Sequence, residues 1–195
     1  MKGEESEGRA MRRLTVFNAM SLDGFIADST GDMSWAHRQD QEWDSFVRGN
    51  ANGEGVLVFG RKTYDMMAGY WPTPMAAENA PAVRKRMNEL QKIVFSQTME
   101  KALWQNTTLL KGHLEEEVQR LKQQPGPDLV ILGGASIVAQ LSDARLIDEY
   151  QVALAPILLG GGRSMFAAIR EKLALRLAGT LSFGNGTVFL TYHRA

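Results

Sequence analysis

Asp128-Leu-Val-Ile-Leu-Gly-Gly-Ala-Ser-Ile-Val-Ala-Gln-Leu141 is the stretch that decides the fold. A short apolar run, Asp128 to Leu132, has the length and composition of a buried strand. Gly133-Gly134 stops it, and a helix follows to about Leu141. The result is a strand, a glycine turn and a helix, the unit from which α/β sheets are built. Amides at the start of such a helix have no carbonyl partner of their own, and glycine puts no side chain in the way of a ligand. Gly133, Gly134, Ala135, Ser136 and Ile137 therefore form a candidate phosphate or pyrophosphate seat, with the Ser136 hydroxyl as a further donor. The same glycines would also be needed simply to make a tight turn. The pattern is not G-x-G-x-x-G, so the usual dinucleotide fingerprint is absent.

Similar signals recur on both sides. Upstream, Leu14 to Met20 reads as a buried strand ending at the Asp23-Gly24 turn, Gln41 to Arg48 as a helix, and Gly55 to Phe59 as a second strand. Residues 81–90 suggest a helix opened by Pro81, and Lys92 to Phe95 and Thr107 to Leu110 two more strands. Leu114 to Lys122 reads as a helix with Glu116 and Arg120 paired at i,i+4. Downstream, Asp148 to Ile157 contains a long strand. Leu173 to Phe183 and Thr187 to Tyr192 flank Gly184-Asn185-Gly186 as a hairpin. Strands alternating with helices and closed by a hairpin predict a mixed, mostly parallel sheet with helices on both faces and an antiparallel C-terminal hairpin.

Two further turns share the chemistry of the first. Gly60-Arg61-Lys62-Thr63 follows the second strand and puts two cations and a hydroxyl at a helix start. Cations there oppose the helix dipole, which makes sense if an anion sits between them and the helix; the plain alternative is a solvated surface pair. Ser96-Gln97-Thr98 follows the third strand in the same way. Three donor-rich turns at strand carboxyl ends, where open α/β sheets bind ligands, suggest a long anionic ligand. The Gly-rich run Leu158 to Ser164 either contacts a ligand, hinges a lid, or is a flexible connection.

Composition narrows the classes. The chain has 195 residues, 44% hydrophobic, with 22 basic and 22 acidic residues, so no net field favours nucleic acid or an anionic membrane. With no cysteine there are no disulfides, thiolate metal sites or cysteine nucleophile, which fits a reducing, cytoplasmic compartment. His37, His113 and His193 are scattered without metal spacing and read as surface or structural, so no metal is expected. Residues 1–10 read as a disordered tail, with Met11 a candidate start and residues 11–195 one domain. No stretch approaches the length of a membrane span.

Taken in order, Met20-Ser-Leu-Asp-Gly-Phe-Ile-Ala27, Gly60-Arg-Lys-Thr63, Phe95-Ser-Gln97, Leu132-Gly-Gly-Ala-Ser136 and Pro156-Ile-Leu-Leu-Gly-Gly-Gly-Arg163 resemble the dihydrofolate reductase superfamily. The closer likeness is to its riboflavin-biosynthesis reductase branch (RibD C-terminal domain-like). That resemblance implies about eight strands and NADPH as hydride donor. It implies that Ala19 and Ile26 line the nicotinamide pocket. It also implies that Arg61, Lys62 and Thr63 hold the adenosine 2′-phosphate and pyrophosphate, with Ser96 near the former. The 133–137 turn would cradle the pyrophosphate. By analogy with that branch the chain forms a homodimer.

The substrate side is open. The superfamily uses a helix carboxylate in its pterin pocket, and here either Glu42 or Asp44 falls near that place; both also suit a solvated helix face. Asp23 is a third candidate, in an Asp-Gly pair that is equally an ordinary turn. The implied activity is hydride transfer to a small heterocyclic, pterin or aminopyrimidine-like, or carbonyl substrate. The alternative is an NADP-binding module without catalysis.

Overall fold

The computed structural model describes residues 11–36, 40–51 and 53–195. The expected tail and His37 lie outside them. Among the described residues ten strands and six α-helices follow one another as β1 (Leu14–Ser21), β2 (Phe25–Ala27), α1 (Gln41–Ala51), β3 (Val56–Gly60), α2 (Arg61–Tyr70), α3 (Pro74–Asn79), α4 (Pro81–Glu89), β4 (Lys92–Phe95), β5 (Thr107–Leu110), α5 (Leu114–Gln123), β6 (Leu129–Leu132), α6 (Ala135–Asp143), β7 (Glu149–Ala155), β8 (Arg163–Ser164), β9 (Leu175–Ser182) and β10 (Val188–Arg194).

Eight strands form one sheet in the order β5-β4-β3-β6-β1-β7-β10-β9. All pairings are parallel except those of β10, which runs against both β7 and β9. The mostly parallel sheet and terminal hairpin are as expected from the sequence. Neighbours β3 and β6 leave the sheet in opposite directions, β3 towards β4 and β6 towards β7. Their carboxyl ends therefore open a crevice at a topological switch point.

Alternation along the strands divides the core between two faces. Leu14 and Val16 of β1, Val56 and Val58 of β3, and Leu129 and Ile131 of β6 pack with Val118 and Leu121 of α5 and Ile137, Val138 and Leu141 of α6. On the other face Leu57, Phe59 and Val94 pack against Tyr64 of α2 and Met87 of α4. Beside them Phe17, Ala19 and Phe189 pack against Trp43 and Phe46 of α1.

Three elements differ from the sequence reading. The six-residue α3 was not expected, although Thr73 caps it by accepting from the Ala76 amide and Pro74 opens it. A two-stranded sheet, β2 with β8, joins the segment after β1 to the Gly-rich run. Arg120 pairs with Glu117 rather than Glu116, at i,i+3, because Glu117 presents its carboxylate on the same side of the helix.

Lys92, at the start of β4, is 1% exposed. Its ammonium donates to the Asn88 and Leu90 carbonyls and lies 4.6 Å from the Trp104 ring centre. No carboxylate among the described residues pairs with it, and burial lowers its pKa from 10.5 to about 8. Between these pH values the unfolded chain holds a proton that the folded chain has lost, so stability rises with pH across the window. The slope approaches roughly 1.4 kcal/mol per pH unit. Tyr150, whose pKa burial raises above 10.0, acts with the opposite sign only beyond that pH. Urea midpoints at pH 8 and 10 should rise for the wild-type chain, and the rise should vanish in Lys92→Met. Parallel pH profiles for the two proteins would refute this assignment.

Candidate functional site

The glycines predicted at the two turns meet at the β3–β6 crevice. Gly133 (φ +70°) and Gly134 (φ +75°) both adopt the left-handed backbone that side chains resist. A Cβ on Gly133 would come within 3.1 Å of Thr63 Cγ2 and 3.9 Å of Asn18 Oδ1. One on Gly134 would lie 3.1 Å from Ile137 Cγ1, and one on Gly60 3.1 Å from Ile137 Cγ2. Glycine is thus what lets the starts of α2 and α6 approach each other. Neither helix has an acidic residue in its first turn or a side-chain cap on its N-cap glycine, so both N-terminal dipoles face the crevice uncompensated. Ile137 is 5% exposed beneath both turns, and its amide already bonds the Gly134 carbonyl. Ala135 is half-buried and Ser136 is exposed beside it.

The third turn joins through Arg61. Its guanidinium donates to Thr98 Oγ1 and makes a 3.5 Å ion pair with Asp65. Lys62 is exposed and without an ion-pair partner among the described residues. Ser96, half-buried at the end of β4, accepts from the Met99 amide at 3.0 Å, which closes the turn that presents Thr98 to Arg61. Gly60, Arg61, Lys62, Thr63, Ser96 and the 133–137 turn are thereby gathered at adjacent strand ends.

The substrate-side candidates are not gathered with them. Glu42 and Asp44 are exposed in the first turn of α1, on either side of the inward-facing Trp43, and neither has a hydrogen bond to another described side chain. Asp23 is a clasp on the Gly-rich run. It accepts from the Ser21 hydroxyl at 2.6 Å and from the Leu159 and Gly160 amides at 3.0 and 2.7 Å. The Ser21 bond first, then those amides, hold its carboxyl below the usual range, which favours the charged form over a proton donor. Ala19 and Ile26 sit in different clusters, Ala19 against the α1 aromatics and Ile26 in the core with Met165. Of the Gly-rich run, Gly162 (φ +138°) packs so tightly on the Ala27 carbonyl that a Cβ would overlap it. The run is therefore fastened at two points, by Asp23 and by the β2–β8 pairing.

Residues 12–189 match the model of the RibD C-terminal domain. The chain belongs to the RibD C-terminal domain family. Among proteins similar to it is the uncharacterised YyaP of Bacillus subtilis strain 168, 28% identical over 183 residues, or 93% of this chain and 95% of that one. A Shewanella sp. PV-4 protein provisionally assigned to riboflavin biosynthesis is 27% identical, with a TM-score of 0.72 over 94% of this chain and 99% of its own. Enterococcus faecalis dihydrofolate reductase, solved with NADP(H), is 17% identical at a TM-score of 0.62, over 93% of this chain and 96% of its own. This RibD C-terminal domain therefore has a dihydrofolate reductase-like fold.

Sequence reasoning missed one polar residue of this RibD C-terminal domain, Asn18. It is 5% exposed, on β1 just beyond the last pairing with β6 at Phe17. Its signal was there to read, an amide at a core position of the apolar run Leu14 to Met20. Among the described residues no helix is long and apolar enough to cross a membrane.

Proposed function

We propose that this protein is an NADPH-dependent reductase that transfers hydride to a C=N or C=O carbon of a small substrate, a pterin or aminopyrimidine-like heterocycle or a carbonyl compound. The convergence of two uncompensated helix N-termini with Arg61 and Lys62 at one switch-point crevice carries this reading. The donor set fits a phosphorylated dinucleotide. Backbone amides of the 133–136 turn would hold the pyrophosphate together with Thr63, and the two cations beside Ser96 would hold the 2′-phosphate. NADPH, when bound, supplies the hydride, and the chain contributes position and electrostatics. As part of the same proposal the protein works in the cytoplasm as a homodimer. The edge strand β9, with Leu175, Leu177 and Leu181 exposed, is a surface suited to a second copy.

A second reading, an NADP-binding module without catalysis, is favoured by the acid side of the site. Glu42 and Asp44 face solvent and Asp23 is held in its charged form, so a water is left to deliver the proton. Stopped-flow absorbance at the NADPH band, with dihydrofolate and aminopyrimidine ribose and ribitol phosphates, separates the two. Oxidation with any of these supports the reductase. Saturable binding without turnover across the panel supports the module, and no binding of either nicotinamide coenzyme removes both.

A further inference from the structure

Asn18 is weakly tied where it stands. A carboxamide has two donor and two acceptor positions, yet among the described residues its one hydrogen bond runs from Nδ2 to the Met165 thioether, 3.7 Å away. Sulfur is a weak acceptor, and among the described residues no donor bonds Oδ1. An apolar residue of similar shape would serve a core strand at least as well. The residue is 5% exposed, and Oδ1 lies 3.9 Å from where a Cβ on Gly133 would stand. Thr63, 9% exposed on the other side of Gly133, likewise has no side-chain hydrogen bond to the described residues. Two largely buried polar residues thus flank one glycine, and their unpaired oxygens are not sealed from solvent but left open at that glycine.

Their placement matches the order of groups along the cofactor, and the argument rests on the NADPH reading above. Gly133 and Thr63 lie at the pyrophosphate end. On that reading Ile26 stands at the nicotinamide end, and it shares a buried cluster with Met165, the residue Asn18 touches. The group that joins nicotinamide to pyrophosphate is a ribose, with hydroxyls that both donate and accept. We infer that Asn18 is a cofactor-binding residue whose carboxamide hydrogen-bonds the nicotinamide-side ribose and so sets the depth of the nicotinamide ring.

Asn18→Leu, close in shape and apolar, tests this by calorimetric titration with NADPH and with adenosine 2′,5′-bisphosphate, which lacks the nicotinamide and its ribose. NADPH should bind roughly tenfold more weakly, the loss of one or two buried hydrogen bonds. The bisphosphate should bind as before, and the melting temperature should hold or rise. Asn18→Val is the second variant should leucine prove too long. Unchanged NADPH affinity in a folded variant overturns the inference and leaves the reductase reading standing. Equal weakening of both ligands, or failure of both variants to fold, makes Asn18 a structural residue and also overturns it. A wild-type chain that binds the bisphosphate but not NADPH overturns the reductase reading itself.

Discussion

Arg61→Ala is expected to weaken NADPH roughly 10- to 100-fold while leaving NADH within about threefold, the loss of one charge-assisted contact made to the 2′-phosphate alone. Arg61 stands at the first position of α2, where a cation works against the helix dipole. Its ion pair with Asp65 is stretched to 3.5 Å and half-exposed on both sides, so it adds little stability and little is lost when an anion competes for the guanidinium. What fixes the side chain is Thr98, which the β4 turn delivers through the Ser96 cap. The residue is thus unfavourable for the helix and oriented from a neighbouring loop, the combination a phosphate clamp requires. Fluorescence titration of both coenzymes against wild type and variant reads the ratio directly. Equal losses for NADPH and NADH would remove the 2′-phosphate assignment, since both share every other group.

The fold was legible wherever composition changes abruptly at a strand end. Leu132-Gly133, Phe59-Gly60 and Phe183-Gly184 each break a β-forming run with glycine, and β6, β3 and β9 end within one residue of these breaks, at Leu132, Gly60 and Ser182. Segments whose form depends on distant partners were not legible. β2 and β8 are three and two residues long and exist because Asp23 and Gly162 fasten two remote loops together. No local periodicity announces such a pair. α3 is too short for a helical period to register, leaving only the Thr73-Pro74 start as a clue.

Half of the site was readable for a related reason. Turns able to seat an anion are written in local grammar, a glycine after a strand and a donor at a helix start, so the 60–63 and 133–137 turns could be placed as candidates without the fold. Their meeting could not, because it depends on β6 being inserted between β3 and β1. Carboxylates give no comparable signal. Glu42 and Asp44 flank Trp43 in sequence, yet only the packing of Trp43 against Phe183 and Phe46 shows that the helix turns both outward. Asp23 read as a turn or a substrate-side carboxylate, and its clasp on the Gly-rich run depends on amides 136 and 137 residues away.

Gly133→Ala should act on both coenzymes alike, in contrast to Arg61→Ala. At φ +70° an alanine pays the left-handed penalty, about 1–2 kcal/mol. For a chain of this size that lowers the melting temperature by roughly 2–8 °C. Affinity should fall further than stability. The new Cβ at 3.1 Å must displace Thr63 Cγ2, and Thr63 belongs to the first turn of α2, so the two helix starts are forced apart. Amides aimed at one pyrophosphate then diverge, and NADPH and NADH should both bind at least about tenfold more weakly. Titrations at a temperature well below the variant's midpoint separate this from unfolding. A variant that melts earlier but binds both coenzymes like wild type would make Gly133 a turn residue only. In that event the phosphates would have to sit away from the α6 N-terminus, because a methyl group at this position stands against Thr63 on the wall of the crevice.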